Sequence, residues 1–167
     1  MTKASLRLCG SLAVSILLVP KSDAAEYRVA GSIVYDVTYH NETKLEDGTV
    51  VSRDHLHGTI DDHDDKSPIE GSSHDCFGGI VFVDGGKTLQ EGRGSCDGVT
   101  KDGDVWWLAW STVSAGKSQW TITGGTGKFA GATGSGTTTF KMDEFKVTAG
   151  QSPSRLPNTY EGVLTLR

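Results

Sequence analysis

No stretch of this 167-residue sequence beyond its first 25 positions repeats with the period of a helix, and no apolar run approaches the ~20 residues that cross a bilayer. Those two absences remove helical bundles and spanning helices. Positive charge is thin: 16 Lys and Arg stand against 21 Asp and Glu, with no basic stripe, so the surface repels phosphate backbones and nucleic acid is excluded as a partner. Cysteine is scarce, with Cys9, Cys76 and Cys96 alone, and none has the short spacing of a zinc motif. No nucleophile triad is legible, so hydrolysis finds no support.

What is present begins with an address. Lys3 and Arg7 precede an apolar run from Leu8 to Val19, and small residues close it at Ser22-Asp23-Ala24-Ala25. This is the layout of a secretory signal peptide over residues 1–25, which leaves 26–167 as one domain and predicts a secreted or periplasmic protein. Cys9 sits at the start of the apolar run and is lost with it, rather than lipidated after it. Cleavage removes Lys3, Arg7, Lys21 and Asp23, three positive charges and one negative, so the formal net charge moves from -5 to -7. Two cysteines then remain in an oxidising compartment, and a Cys76–Cys96 disulfide is the expectation.

Glycine-rich turns separate runs of Val, Ile, Thr, Tyr, Phe and Trp, which reads as an all-β chain. Strands are expected at Tyr27–Asn41, Thr49–Ile60, His74–Val83, Thr88–Cys96, Asp104–Val113, Ser118–Thr123, Ala132–Met142 and Tyr160–Leu166. Short connections such as Asp47-Gly48, Asp84-Gly85-Gly86 and Ala115-Gly116 make successive strands antiparallel neighbours. An eight-stranded antiparallel up-and-down barrel hides every edge such a sheet exposes. The polar stretch Asp61–Ser73 and the stretch Glu144–Asn158, with Gly150, Pro153 and Pro157, read as loops rimming one mouth.

Two hairpins allow register tests. A two-residue type I′ turn at Asp47-Gly48 pairs Tyr39 with Leu56 and Tyr35 with Ile60, which places apolar residues of both strands on one face. A three-residue loop centred on Gly86 places Cys76 opposite Cys96, within the span of a disulfide.

The run Gly124-Gly125-Thr126-Gly127-Lys128-Phe129 invites comparison with a phosphate-binding loop, and fails it. Phe129 stands where Ser or Thr must ligate Mg²⁺, and a strand follows where a helix must begin. The same run, continuing through Ala130-Gly131 and resuming a strand over Gly134–Thr138, resembles the signature turn of the barrels shared by plant dirigent proteins and allene oxide cyclases. It is closer still to their small secreted bacterial relatives. Lys101-Asp102-Gly103-Asp104 ahead of a tryptophan-rich strand and the closing Tyr160-Glu161-Gly162-Val163-Leu164 extend the likeness over residues 76–166. Gly124, Gly125, Gly127 and Phe129 are thus expected to form a structural turn. The resemblance implies an eight-stranded barrel with an apolar cavity, often trimeric in the plant members. There the cavity steers the cyclisation of a fatty-acid epoxide or the coupling of a phenoxy radical, without metal or organic cofactor.

Candidate site residues follow from the first hairpin. His40, His55 and His57 converge if His40 opposes His55; that face also carries Asp36, Thr38, Arg53 and Thr59, so it reads first as a solvated or subunit-contact face and second as a metal site. Asp54 shares parity with Tyr39 and Tyr35, and either caps the hairpin beside Asn41 or joins the two tyrosines as an acid/base pair in a cyclase-like cavity. Trp106, Trp110, Tyr35 and Tyr39 are the expected ligand-lining aromatics, while Trp107 points the other way. Asp61, Asp62, Asp64 and Asp65 around His63 have the oxygens for calcium but not the spacing of an EF-hand. Asn41-Glu42-Thr43 is a glycosylation sequon. The function expected is an exported barrel that binds a small apolar or aromatic molecule, with no cofactor and with further copies of itself as the other partner. A cofactor-free isomerase, cyclase or dirigent-type coupling protein is the alternative, and a structural or interaction module with a filled interior is the third reading.

Overall fold

A computed structural model describes residues 24–140 and 155–167. Residues 1–23 of the expected signal 1–25, and residues 141–154, lie outside the described residues. Eight strands follow in order: β1 (Ala25–Lys44), β2 (Val50–Asp62), β3 (Ser73–Val83), β4 (Thr88–Val99), β5 (Val105–Ser114), β6 (Lys117–Gly125), β7 (Thr133–Phe140) and β8 (Arg155–Leu166). Each pairs antiparallel with the next, and β8 returns to β1, so the sheet is a closed barrel. A 3₁₀ turn at Gly127–Phe129 interrupts the strands, and no helix of the described residues is long and apolar enough to cross a membrane.

Alternation sorts the side chains. On β6, Ser118, Trp120 and Ile122 are buried while the residues between them are exposed, and the same period runs through β8. Three indoles fill much of the interior, and glycines on facing strands leave room for them. A Cβ at Gly98 would collide with Trp106, one at Gly78 or Gly94 with Trp110, and one at Gly136 or Gly162 with Trp120. The abundant glycine therefore serves packing as much as turning.

The barrel has two different ends. At one, the connections 63–72, 100–104 and 126–132 fold over the interior, and Ile69, Phe129 and Ala132 are buried there. At the other lie the hairpins of residues 45–49, 84–87 and 115–116, beside Phe140 and Arg155. The antiparallel order puts connection 63–72 at one end and Phe140 and Arg155, which flank the undescribed residues 141–154, at the other, so the two stretches expected to rim one mouth start from opposite ends. Nor does a loop extend to Asn158. β8 begins at Arg155, with Pro157 paired to Val34 of β1, and the described pairing with β7 starts only at Asn158, so the missing N–H of proline faces no described partner.

The first hairpin departs from the expected register. Leu45 O accepts from Gly48 N at 3.0 Å, Leu45 N donates to Thr49 O at 2.8 Å, and Gly48 has φ 84°. This is a three-residue loop with a left-handed glycine, not a two-residue turn, and it shifts every pair by one. The pairs become His40↔Asp54 and Tyr39↔His55, and a bulge between Val37 and Tyr39 shifts the register once more, to Val37↔Leu56 and Ile33↔Ile60. The bulge also reverses the parity of β1, so Tyr35 points inward while Tyr39 stands 53% exposed.

The second hairpin reaches the expected pairing by a different route. Asp84 to Lys87 form a four-residue turn between Val83 and Thr88, and a bulge near Phe82 restores the register that sets Cys76 opposite Cys96. The two are disulfide-bonded, with Cα atoms 4.1 Å apart.

Candidate functional site

Inward residues from most of the strands enclose a hollow of about 120 Å³. Its wall is aliphatic and aromatic, with Trp106, Trp110, Trp120, Tyr35, Phe140 and Ile80 prominent. Of the expected aromatics, Tyr35, Trp106 and Trp110 line it; Tyr39, beyond the bulge, and Trp107, 39% exposed, face outward. Polar groups on the wall are few: Asp54, His74, Ser118, Thr138, Asn158 and the hydroxyls of Tyr35 and Tyr160.

Near the plugged end, Tyr35 Oη lies 2.7 Å from His74 Nδ1, and the His74 ring stacks on Trp106 with centroids 4.9 Å apart. Burial pushes the Tyr35 hydroxyl far up, and the Asp75 charge adds to this, so Tyr35 stays a neutral donor. Burial likewise brings His74 down to about 3, which makes it neutral. With Tyr35 donating to Nδ1, the ring hydrogen sits on Nε2, a buried donor with no protein partner. Across the interior, Tyr160 donates to Asp62 Oδ2 at 2.9 Å; burial raises this hydroxyl and the Asp62 carboxylate raises it further. Asn158 Oδ1 is buried without a partner as well. Of these residues the sequence reading singled out Tyr35 and Asp62, and missed His74, Asn158 and Tyr160; His74 was legible in principle, being two residues from Cys76 and of its parity.

Toward the hairpin end, Asp54 turns inward as its parity predicts, but its partner is His40. Asp54 Oδ1 and His40 Nδ1 are 2.5 Å apart, both side chains are under one-tenth exposed, and Ser52 Oγ donates to Asp54 Oδ2 at 3.2 Å. His40 Nε2 is buried, with Glu42 Oε1 at 3.5 Å as its nearest acid and no hydrogen-bond partner. The three histidines therefore do not converge: His40 has gone inside with Asp54, and Tyr39 is too far outside to share a cavity with it. Asp54 does not cap the hairpin beside Asn41 either, since Asn41 pairs with Arg53 and is exposed.

His55 and His57 remain outside and find a different third member. Asp75 Oδ1 lies 3.0 Å from His55 Nε2 and 3.1 Å from His57 Nδ1. Burial alone would raise the Asp75 carboxyl, but hydrogen bonds from His57 and His55 and their charge outweigh it and hold it below its ordinary value. The acidic loop is spent on itself: Asp62 accepts from Asp64 N, Ser67 Oγ and Tyr160, and Asp64 accepts from Lys66 N. The glycine turn is held the same way. Asp104 accepts from Lys128 N, Thr126 Oγ1 accepts from Val105 N, and Gly127 at φ 51° lets Phe129 turn fully into the core.

A solved structure of similar shape is that of the pterocarpan synthase dirigent protein GePTS1. It superposes with a TM-score of 0.52 over 89% of each chain at 12% identity. The fold is the dirigent-type β-barrel. The pterocarpan synthase dirigent protein PsPTS1 aligns over 89% of this chain and 98% of its own with a TM-score of 0.49 and 10% identity. No family model and no curated protein matches the sequence. What this dirigent-like barrel shares with the solved one is therefore architecture, and its chemistry has to be argued from its own interior.

Proposed function

We propose that the chain is an exported barrel that encloses one small apolar or aromatic molecule. The carrying observation is the hollow of about 120 Å³ with three indoles and a tyrosine on its wall. An apolar void of about 150 Å³ accepts benzene, so for a hollow of about 120 Å³ a single small ring is the scale of ligand. The disulfide and the secretory layout of residues 1–25 support export. The test is titration of the purified chain with benzene or para-cresol, read by tryptophan emission, since Trp110 and Trp120 line the hollow. A saturable change that disappears in Thr138→Phe, which fills the hollow, is expected. Absence of any saturable change up to the solubility limit of both compounds overturns the reading.

A second reading rests on Asp54. A carboxylate set in an apolar wall, oriented by His40 and Ser52, is a general base waiting for a carbon acid. It supports the isomerase or cyclase alternative over the filled module. The probe is 5-nitrobenzisoxazole, whose ring opens on removal of one proton. Turnover above that of free acetate, lost in Asp54→Asn with cresol binding retained, is expected; equal rates in both chains sink this reading and leave the binding one standing.

A further inference from the structure

We propose that the ring held in the hollow carries a neutral carbonyl group, whose oxygen accepts the Nε2 hydrogen of His74. This rests on the reading that the hollow encloses one small ring, and it adds which chemistry that ring bears. The argument starts from where the hydrogen sits. Tyr35 has one hydrogen to give, and its acceptors are His74 Nδ1 at 2.7 Å and Cys76 Sγ at 3.4 Å. A disulfide sulfur is the weaker acceptor, so the hydrogen goes to the imidazole, and the neutral ring keeps its own on Nε2.

His74 borders the hollow beside Tyr35 and Trp106, is 3% exposed, and its Nε2 has no partner in the chain. Acceptors at the plugged end are engaged elsewhere. Ser72 Oγ accepts from Trp106 Nε1 at 3.4 Å, and Asp62 Oδ2 accepts from Ser67 Oγ and Tyr160. Asn158 Oδ1 is on the same wall, but it is partnerless too, so the two do not reach each other. A buried donor is costly to leave unpaired, and a ligand that supplies the acceptor gains what one without it forfeits.

The surroundings select the acceptor. A carboxylate is excluded, because burial keeps His74 neutral down to about pH 3, Asp75 is next in the chain, and the wall is aliphatic and aromatic. A hydroxyl brings a hydrogen that needs a further acceptor of its own, whereas a carbonyl brings none. The bond to Tyr35 and the stacking on Trp106, 4.9 Å between centroids and 22° from parallel, fix the direction of Nε2 in advance. Gly58, the partner of His74, is four residues along β2 from Asp54. The carbonyl is therefore seated at the plugged end, and the remainder of the ring extends toward Asp54.

The experiment uses the purified chain, isotopically labelled, and the isosteric pair cyclopentanone and methylenecyclopentane, which differ only in C=O against C=CH₂. Each is titrated by NMR into the parent and into His74→Phe, which keeps a ring against Trp106 but has no donor. Comparing the ratio of the two affinities between the two chains cancels the unequal hydration of the compounds and the lost partner of Tyr35. The ketone-to-alkene ratio should fall about 10-fold in the variant, the effect of one hydrogen bond to a buried donor. In the parent, ring correlations of His74 should show the Nε2–H tautomer, and that proton should move on adding the ketone and stay on adding the alkene. The proton decides the matter even where the variant does not fold. A ratio equal in both chains, an Nδ1–H tautomer, a proton unmoved by bound ketone, or binding of the alkene alone overturns the carbonyl seat and leaves the enclosure of a ring standing. Failure of both compounds and of benzene to bind overturns the two together.

Discussion

Acid should weaken this barrel through one residue, His74. In the folded chain burial holds its imidazole near 3, and unfolding returns it to about 6.5. Between those values the unfolded chain takes up a proton that the folded chain refuses, so stability falls as pH is lowered through that window and is insensitive to His74 above it. Each pH unit inside the window is worth about 1.4 kcal/mol, so going from pH 6.5 to 5 removes about 2 kcal/mol. Asp75 does not contaminate the interval. Its carboxyl is held low in the fold, so what it contributes is present above the ordinary carboxylate range and lost only as pH falls further. The assay is urea unfolding at pH 6.5 and pH 5 of the parent and of His74→Asn, which keeps an acceptor for Tyr35 but cannot titrate. The parent should lose about 2 kcal/mol more than the variant between the two conditions. Equal losses, or a parent that gains stability on acidification, would show that His74 is not buried neutral and refute the description of that end of the interior.

Three further outcomes are expected. Replacing Cys76 and Cys96 together by alanine should lower unfolding free energy by about 3 kcal/mol, the loop-closure value for a crosslink of this span, checked by urea midpoint under otherwise identical conditions. Phe129→Ala should cost about 3 to 5 kcal/mol in the same measurement, since the ring has no solvent exposure at all. Tyr39→Ala should leave cresol affinity unaltered, whereas Trp110→Leu should weaken it, because the bulge in β1 has put the tyrosine outside and the indole remains on the wall.

The barrel was legible because alternation and turn residues act locally: eight runs of β-formers between glycine turns leave little else for the chain to be. The site was legible only in part, because a bulge is invisible to a count of two. The three-residue loop sets His40 rather than Asn41 opposite Asp54, and the extra residue at Thr38 then lets Tyr35 face inward while Tyr39 faces out. The turn at Asp47-Gly48 misled for a related reason, since Asp-Gly suits both a two-residue turn and the end of a three-residue loop; Asp47 Oδ1 accepting from Thr49 N helps the longer one. Cys76 and Cys96 were found although their loop is four residues long, because a second bulge cancels the error. Ile69 and His74 escaped notice for opposite reasons. The isoleucine is a lone apolar residue in a polar connection, and the burial of the histidine depends on Trp106 and Tyr35, which arrive from other strands.

Closure of the sheet by β1 against β8 sets Ala25 beside Leu166. Both ways out of the domain thus leave from the plugged end, next to the connections that carry Ile69 and Phe129. A tether or fusion attached through Arg167 would stand the barrel upright on a support, with the hairpins at 45–49 and 84–87 facing the surrounding fluid. Immobilised in that orientation, the molecule would turn its Asp54 end away from the support.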